Sequence, residues 1–228
     1  MKLYKIIFKP FFFLLDKYIK SNRSWNFQRI KLGSELPASE LDALHAYRLS
    51  CYEKDSPYLI PSTQEELDSE KAFDLNSFHI YAKDSDGNII GSLRLLKRPF
   101  EMEKLNFSDE HKKGLDEYLE ISRLVCSVRQ KGLGRRLLIR AGIWSIVRTQ
   151  YKGFTAICKC QRLPMFKRFG LIPKTSFKIQ EREDQTYHLI RADFSEITLV
   201  TFKAFVTVQF ETLTKMIQDA FSFNRSAL

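Results

Sequence analysis

Three consecutive segments in the middle of this 228-residue chain constrain its fold more than any other feature. Leu119–Val128 is rich in β-branched side chains, which predicts a strand. Gly134–Gln150 repeats apolar residues at three- and four-residue intervals, which predicts a helix. The basic, glycine-containing loop Arg129–Gly134 joins them. A strand, a short glycine loop and a helix in this order predict one β-loop-α unit of a mixed sheet.

The flanking segments predict further helices and strands around this unit. Asp86-Gly87 lies between two β-rich runs and predicts a hairpin. Ser62 and Glu65 have the spacing of a capping box at a helix start. Other helices are predicted at about 39–52 and 162–169, and other strands at about 154–160, 176–180 and 186–192. The predicted fold class is therefore α/β, with a mixed (α+β) sheet.

Both ends of the chain differ in character from the centre. We predict a basic, apolar N-terminal extension over 1–30, a main domain over 31–193 and an amphipathic C-terminal helix over 194–228. The longest uncharged apolar stretch of the N-terminus, Pro10–Leu15, is too short to span a bilayer. Its lysines alternate with aromatic residues, as in segments that lie on anionic membranes. Docking on the protein core is the alternative for both ends.

The positive charge of the chain is concentrated in one segment. The segment from Ile121 to Gln180 contains 14 Lys or Arg and no Asp or Glu, whereas the whole chain carries +10, so the remainder carries −4. This asymmetry predicts an anionic partner such as nucleic acid, a phosphate cofactor, an acidic protein or an anionic membrane. A solvated basic surface is the alternative.

The four cysteines do not have metal-ligand spacing. No Cys-x-x-Cys pair occurs, and Cys158 and Cys160 are predicted to share one face of a strand as small apolar side chains. We predict no metal site and a reducing, intracellular setting.

The glycine loop is a candidate phosphate site. Gly132 and Gly134 permit a tight turn that directs backbone N–H groups towards one point at a helix start. Arg129, Lys131 and Arg135 strengthen the positive potential there. Neither the P-loop spacing nor the dinucleotide-binding glycine fingerprint is present. A basic helix cap without a ligand is the alternative.

Three short motifs carry a resemblance to a known superfamily. The loop RQKGLG resembles the pyrophosphate-binding loop of GNAT acyltransferases, Arg/Gln-x-x-Gly-x-Gly/Ala. Gly91–Leu96 and Glu120–Arg123 are similar to the Gly-x-x-Arg-Leu-Leu and Glu-x-Ser-Arg strands of acyl-homoserine-lactone synthases and related N-acyl amino acid synthases. The resemblance covers about residues 41–171. It implies a GNAT-like acyltransferase fold, here with apolar helical extensions at both ends.

The sequence also departs from these families. The early tryptophan of the autoinducer synthases has no match. Their Asp-x-x-Asp pair would place its second member at Asp74, but the first position holds Lys71. Many GNAT acetyltransferases protonate the leaving thiol with a late tyrosine, where Phe166 stands here.

The resemblance implies that a long-chain acyl group passes from a thioester, acyl-ACP (phosphopantetheine) or acyl-CoA, to the amine of an amino-acid-like acceptor. Glu120 is the candidate base, and Arg123 and Arg94 would hold a substrate carboxylate or organise the site. Backbone N–H groups at Leu124, Val125 and Cys126 would stabilise the oxyanion. Structural ion pairs are the alternative for all three charged residues, and Cys126 as a nucleophile is the alternative to direct transfer.

Regular strand pairing would place Arg123 on the face opposite Glu120, so the two share a site only if a bulge or a splayed strand intervenes. Acyl carrier protein and a small amine are the predicted partners, with peripheral membrane contact at the inner face of a membrane and a cytoplasmic location. Nucleic acid is disfavoured because no binding motif is present. A non-catalytic module that binds an acyl carrier, a membrane or nucleic acid is the competing function.

Overall fold

The computed structural model describes residues 7–20, 25–105, 113–127, 132–179 and 182–207. The helices are α1 (Lys9–Lys20), α2 (Ala38–Asp55), α3 (Gln64–Leu75), α4 (Leu133–Arg148), α5 (Leu163–Lys167) and α6 (194–207). The strands are β1 (Asn26–Phe27), β2 (Lys31–Leu32), β3 (Ser77–Lys83), β4 (Ile89–Leu96), β5 (Tyr118–Cys126), β6 (Gly153–Lys159), β7 (Ile172–Ile179) and β8 (Arg182–Asp193). The predicted hairpin and β-loop-α unit are β3–β4 and β5–α4.

All eight strands form one mixed sheet with the order β1-β3-β4-β5-β6-β8-β7, and β2 also pairs with β3. Every pairing is antiparallel except that of β5 with β6. Because a parallel pair needs a crossover, α4 connects β5 to β6 across one face of the sheet. This arrangement confirms the predicted mixed α/β class.

Helices cover both faces of the central strands. On one face Leu93 and Leu95 of β4 join the main apolar core with Leu137 of α4 and Phe11 of α1. On the other face Arg94 meets side chains of α3. Alternation along β4 therefore separates an apolar face from a charged face, and every residue of β4 after Ile89 is buried.

Several boundaries differ from the predictions. Thr63, and not Ser62, caps α3, because its hydroxyl accepts the N–H of Glu66 while Ser62 donates its own N–H to the Glu66 carboxylate. The capping pair is thus shifted by one residue. Cys158 is buried on β6, but Cys160 begins a 3-10 turn and is exposed, so the two do not share a strand face.

The terminal helices both contact the main core. Phe11, Phe12 and Leu15 of α1 are buried, as are Phe194 and Ile197 of α6. The N-terminal extension thus docks on the core over α1. No helix in the part of the chain that the structure describes is long and apolar enough to cross a membrane. Residues 208–228 of the predicted C-terminal helix lie outside the described residues, and the domain limits stay a prediction.

Candidate functional site

A bulge in β5 brings Arg123 onto the charged face of the sheet. Arg94 pairs with Ser122 and Ser92 pairs with Val125, so two residues of β5 lie opposite one residue of β4. Arg123 adopts a left-handed backbone, with φ 51°. This is the local distortion that a bulge produces. The side chain therefore turns back towards the face of Glu120, which meets the condition that the sequence set for a shared site.

The sheet splays immediately beyond Glu120. The parallel pairing of β5 with β6 covers three residue pairs and ends at Glu120 and Thr155. Both strands continue, but β5 then pairs with β4 and β6 with β8. The residues of β5 from Ser122 to Cys126 are partly buried, whereas those before them are buried. A wedge thus opens along the strand edge that carries Leu124, Val125 and Cys126.

A buried ionic cluster occupies the charged face beside the wedge. The Arg94 guanidinium is fully buried and lies 2.8 Å from Asp74 and 3.2 Å from Glu70, both on α3. Its other terminal nitrogen lies 2.6 Å from Glu101. Arg123 binds the carboxylates of Glu70 and Glu101. Two arginines thus share the same carboxylates, which are close enough to neutralise them in a dry environment.

The neighbouring cationic groups keep two carboxylates of the cluster, Asp74 and Glu101, charged. Burial alone would raise the pKa of Asp74, but a hydrogen bond from His45 and the charges of Arg48 and Arg94 hold that pKa well below its usual range. Burial likewise opposes ionisation of Glu101, and the adjacent Arg123 and Arg94 nevertheless lower its pKa. Asp74 and Glu101 are therefore charged partners of the arginines over the ordinary pH range.

Glu120 has a different environment. Its side chain is 3% exposed, and its two oxygens accept the backbone N–H groups of Glu101 and Met102, at 2.7 and 3.2 Å. Burial and the neighbouring Glu101 carboxylate raise the pKa of Glu120 to about 8, although the two N–H donors favour its charged form. A carboxyl group that titrates near neutrality has the property that a general base requires.

Some donors in the cluster have no protein acceptor among the described residues. The Nε and Nη1 atoms of Arg123 and the hydroxyl group of Tyr52 are buried without a hydrogen-bond partner there. The Arg123 guanidinium lies 5.4 Å from the centre of the Tyr52 ring. Arg94, by contrast, has all three of its nitrogens engaged by Glu70, Asp74, Glu101 and Ser122. Of the two arginines, Arg123 retains the capacity to bind a further anion.

The glycine loop ends beside the wedge. Gly132 adopts a left-handed backbone with φ 83° immediately before α4, a conformation that favours glycine. A Cβ atom on Gly134 would lie 3.4 Å from the Cys126 sulfur, so the start of α4 approaches the end of β5 closely. Arg135 is exposed in the first turn of α4, which contains no acidic residue. Arg129 and Lys131 lie outside the described residues.

Two residues that the sequence singled out, Cys126 and Phe166, are both largely shielded from solvent. Burial and the nearby Cys51 raise the pKa of the Cys126 thiol to about 12, which disfavours the thiolate that a nucleophile needs. Phe166 is buried in the main apolar core. No group of His, Cys, Asp or Glu able to hold a metal ion occurs in the described ranges.

Of the acidic side chains in the cluster, the sequence pointed to Asp74 but not to Glu70 or Glu101. Glu70 and Asp74 lie one turn apart on α3 and both bind Arg94, so Glu70, and not position 71, supplies the second carboxylate. The four-residue spacing of Glu70 and Asp74 was the available signal, since it places both carboxylates on one side of the helix, where they can bind Arg94. Glu101 carries no local signal, since its role depends on a 3-10 turn that β4 and β5 position.

Comparison with known proteins identifies the fold. No protein-family model and no curated protein matches the sequence. The AHL synthase LasI is similar in structure, with a TM-score of 0.60 and 18% identity over 78% of this chain and 95% of LasI. TofI, solved with an inhibitor and MTA, has a TM-score of 0.56 and 17% identity over 78% and 95%. An acyl-CoA N-acyltransferase from Pseudomonas aeruginosa has a TM-score of 0.52 and 21% identity over 74% and 99%. The fold is thus the GNAT acyltransferase fold, as the three motifs predicted.

Proposed function

We propose that this protein is an N-acyltransferase. It would move a long-chain acyl group from a carrier thioester to the amine of an amino-acid-like acceptor. The observation that carries the proposal is the convergence at one wedge of a buried carboxyl group, an arginine with unused donors and the start of a glycine-loop helix. Each of these groups has a separate chemical task in acyl transfer.

The carboxyl group would accept a proton. The acceptor nitrogen attacks the thioester carbon, the C–N bond forms and the C–S bond breaks, and the proton that Glu120 takes from nitrogen is passed on to the departing thiolate, which leaves as a thiol. Both Glu120 oxygens already accept a backbone N–H, but each retains a second lone pair. Because the side chain is almost fully buried, we propose that the proton reaches Glu120 through a water molecule.

Arg123 would bind the acceptor's carboxylate through one of its two unpartnered donors, Nε or Nη1, while Arg94 holds the cluster together. The sequence assigned both arginines jointly to binding a substrate carboxylate or organising the site, and this proposal gives the first role to Arg123 and the second to Arg94. The unpaired edge of β5 at Leu124–Cys126 would supply N–H groups to the oxyanion, since β6 has diverged from it.

The donor would place its phosphate at the start of α4, near Gly132, Gly134 and Arg135, with Arg129 and Lys131 contributed by the preceding loop. Acyl carrier protein is acidic as a class, so the basic segment would steer its docking. Acyl-CoA carries phosphates that suit the same charge. A competition assay with both donors at equal concentration would rank them.

Incubation of the full-length protein with acyl-ACP and acyl-CoA of several chain lengths and a panel of amines tests the proposal. We expect release of free thiol with an amino acid acceptor, and a loss of about a hundredfold or more in Glu120→Gln. Thiol release from no donor with any amine, together with tight binding of RNA or of carrier protein alone, would contradict the proposal and favour the non-catalytic module.

A further inference from the structure

The two terminal helices form one unit on the outside of the fold. Phe202 of α6 contacts Phe8 and Phe11 edge to face, with ring centroids 5.3 and 5.2 Å apart, and Phe205 lies 5.6 Å from Phe11. The inner side of α1 packs on α4 and the main core. The outer sides of α1 and α6 therefore lie next to each other, although they are far apart in the sequence.

The outer side of this helix pair is apolar. Six of the ten exposed large hydrophobic side chains in the described part of the chain lie on α1 or α6, including Phe202 at the contact between the two helices, and a seventh, Ile7, lies just before α1. Phe13 is 61% exposed and Leu199 is 62% exposed. The seven are Ile7, Phe13, Leu14, Leu199, Val200, Phe202 and Val206. Such a concentration on a small protein marks an interaction surface, since exposed apolar residues are normally scattered.

Two exposed lysines lie on this helix pair, and Glu196 of α6 is an exposed acidic residue. Lys17 is exposed and its ammonium group lies 4.9 Å from the centre of the Phe13 ring, and Lys203 is exposed on α6. Asp16 lies 3.5 Å from Arg140 of α4, so its charge is compensated on the inner side. Glu196 accepts the N–H of Asp193 at the start of α6. The exposed middle of the pair thus combines aromatic and aliphatic side chains with lysines.

We infer that this surface, the outer sides of α1 and α6, binds an anionic lipid membrane. Aromatic and aliphatic side chains at the centre with lysines among them are the pattern of helices that lie in the headgroup region. Lysine can extend its ammonium group to the lipid phosphates while its stem stays on apolar surface. A second copy of the chain is a poorer occupant, because a two-fold contact would bring the same lysines against one another.

The membrane surface goes beyond the proposed acyl transfer and does not depend on it. None of its residues belongs to the ionic cluster, the wedge or the glycine loop. The link between the two is α4, which begins at the glycine loop and binds α1 through Arg140 and Asp16. Membrane docking would hold the enzyme where a long-chain product partitions.

Co-sedimentation of the full-length protein with vesicles tests the inference. The probes are vesicles of equimolar phosphatidylcholine and phosphatidylglycerol, and vesicles of phosphatidylcholine alone. We expect binding to the first, weaker binding to the second and a decrease with salt. In the triple variant Phe13→Ser, Leu14→Ser, Leu199→Ser, we expect binding to the anionic vesicles to fall about tenfold or more. The matched control is Leu75→Ser with Ile172→Ser, two side chains that are each 44% exposed elsewhere on the fold.

Circular dichroism establishes that both variants fold, and thiol release from a soluble short-chain thioester without vesicles is measured in parallel. Binding lost in the triple variant and kept in the control supports the inference, whether or not thiol is released. Absence of wild-type binding to anionic vesicles, or equal binding of both variants, overturns it. A dimer in light scattering that the triple variant abolishes, without vesicle binding, overturns it in favour of a second copy.

Discussion

Glu101 donates its backbone N–H to the carboxyl group of Glu120 at 2.7 Å, while its own carboxylate binds Arg94 and Arg123. One residue thereby connects the candidate base to the ionic cluster. Burial, and after it the like charge of the Glu101 carboxylate, raises the pKa of Glu120, whereas the arginines lower the pKa of Glu101 itself.

The pH dependence of acyl transfer should report Glu120. Its pKa is raised to about 8, and a general base works when deprotonated, so the rate should rise with pH up to about 8 and then level off. The measurement is kcat/KM against pH with an acceptor amine whose own pKa lies well below neutrality, so that the amine does not titrate in the same window. A profile that is flat above pH 6 with this acceptor would exclude Glu120 as the base.

Asp74→Asn should strongly destabilise the fold. The substitution removes one charge from between Arg48 and Arg94 and leaves two buried guanidinium groups undercompensated, at a cost of about 3–5 kcal/mol in the free energy of unfolding. Urea unfolding measures this loss. The matched control is Asp68→Asn on the same helix, where the side chain is exposed and a change within about 0.5 kcal/mol is expected.

The stability lost in Asp74→Asn should also depend on pH. Because the pKa of Asp74 is lowered on folding, its contribution is complete above the unfolded value near 4 and decreases as the pH falls below it. The difference in unfolding free energy between wild type and Asp74→Asn should therefore narrow under acid. A difference that stays constant down to about pH 2 would contradict the depressed pKa.

Gly153→Ala should disrupt the junction of β6 and β8. A Cβ atom there would lie 2.0 Å from the carbonyl oxygen of Ala192, which is backbone and cannot move aside cheaply. We expect the free energy of unfolding, measured with urea, to fall by about 3 kcal/mol. Gly142→Ala is the opposite case, because Gly142 lies inside α4 with open space at its Cβ position, and a gain of about 1 kcal/mol is expected.

Arg135→Ala should weaken binding of the acyl donor without altering the rate of acyl transfer from the bound donor. Loss of one charge-assisted contact to phosphate should raise KM for acyl-CoA or acyl-ACP about tenfold and leave kcat almost unchanged. Arg148→Ala, at the other end of the same helix, removes an equal charge far from the glycine loop and serves as the control. Equal effects of the two variants would indicate a diffuse field and not a phosphate cradle.

Cys126→Ala should retain acyl transfer. A thiol whose pKa is raised to about 12 is protonated at neutral pH, so direct transfer to the amine is favoured over an acyl-enzyme. Intact-mass spectrometry of the wild type mixed with donor alone should show no acyl adduct. An adduct that disappears in Cys126→Ala would establish the nucleophile instead.

The sequence predicted those features that depend on neighbouring residues. Asp86-Gly87 predicted the hairpin because its turn requires a left-handed glycine, and Gly87 has φ 85°. The glycine loop between strand and helix predicted the β5–α4 unit for a similar local reason. Features that depend on distant pairing were missed: the partner of Arg94 on α3 lies 20 residues away, and that of Arg123 lies 53 residues away. Alternation alone could not decide the face of Arg123, because a two-residue period does not reveal where a bulge occurs.

The three-pair junction of β5 and β6 has a mechanical consequence. The sheet consists of two halves, β1–β5 and β6–β8, each held together by antiparallel ladders. Among the described residues, the halves are joined edge to edge by the short parallel pairing of 118–120 with 153–155 and by the hydrogen bond from the Lys152 N–H to the Glu117 carbonyl just before it. The seam ends at Glu120. Any rotation of one half relative to the other would therefore have its axis beside Glu120 and would change the width of the wedge. Each half would move as a rigid body, because its own strands are held by antiparallel ladders.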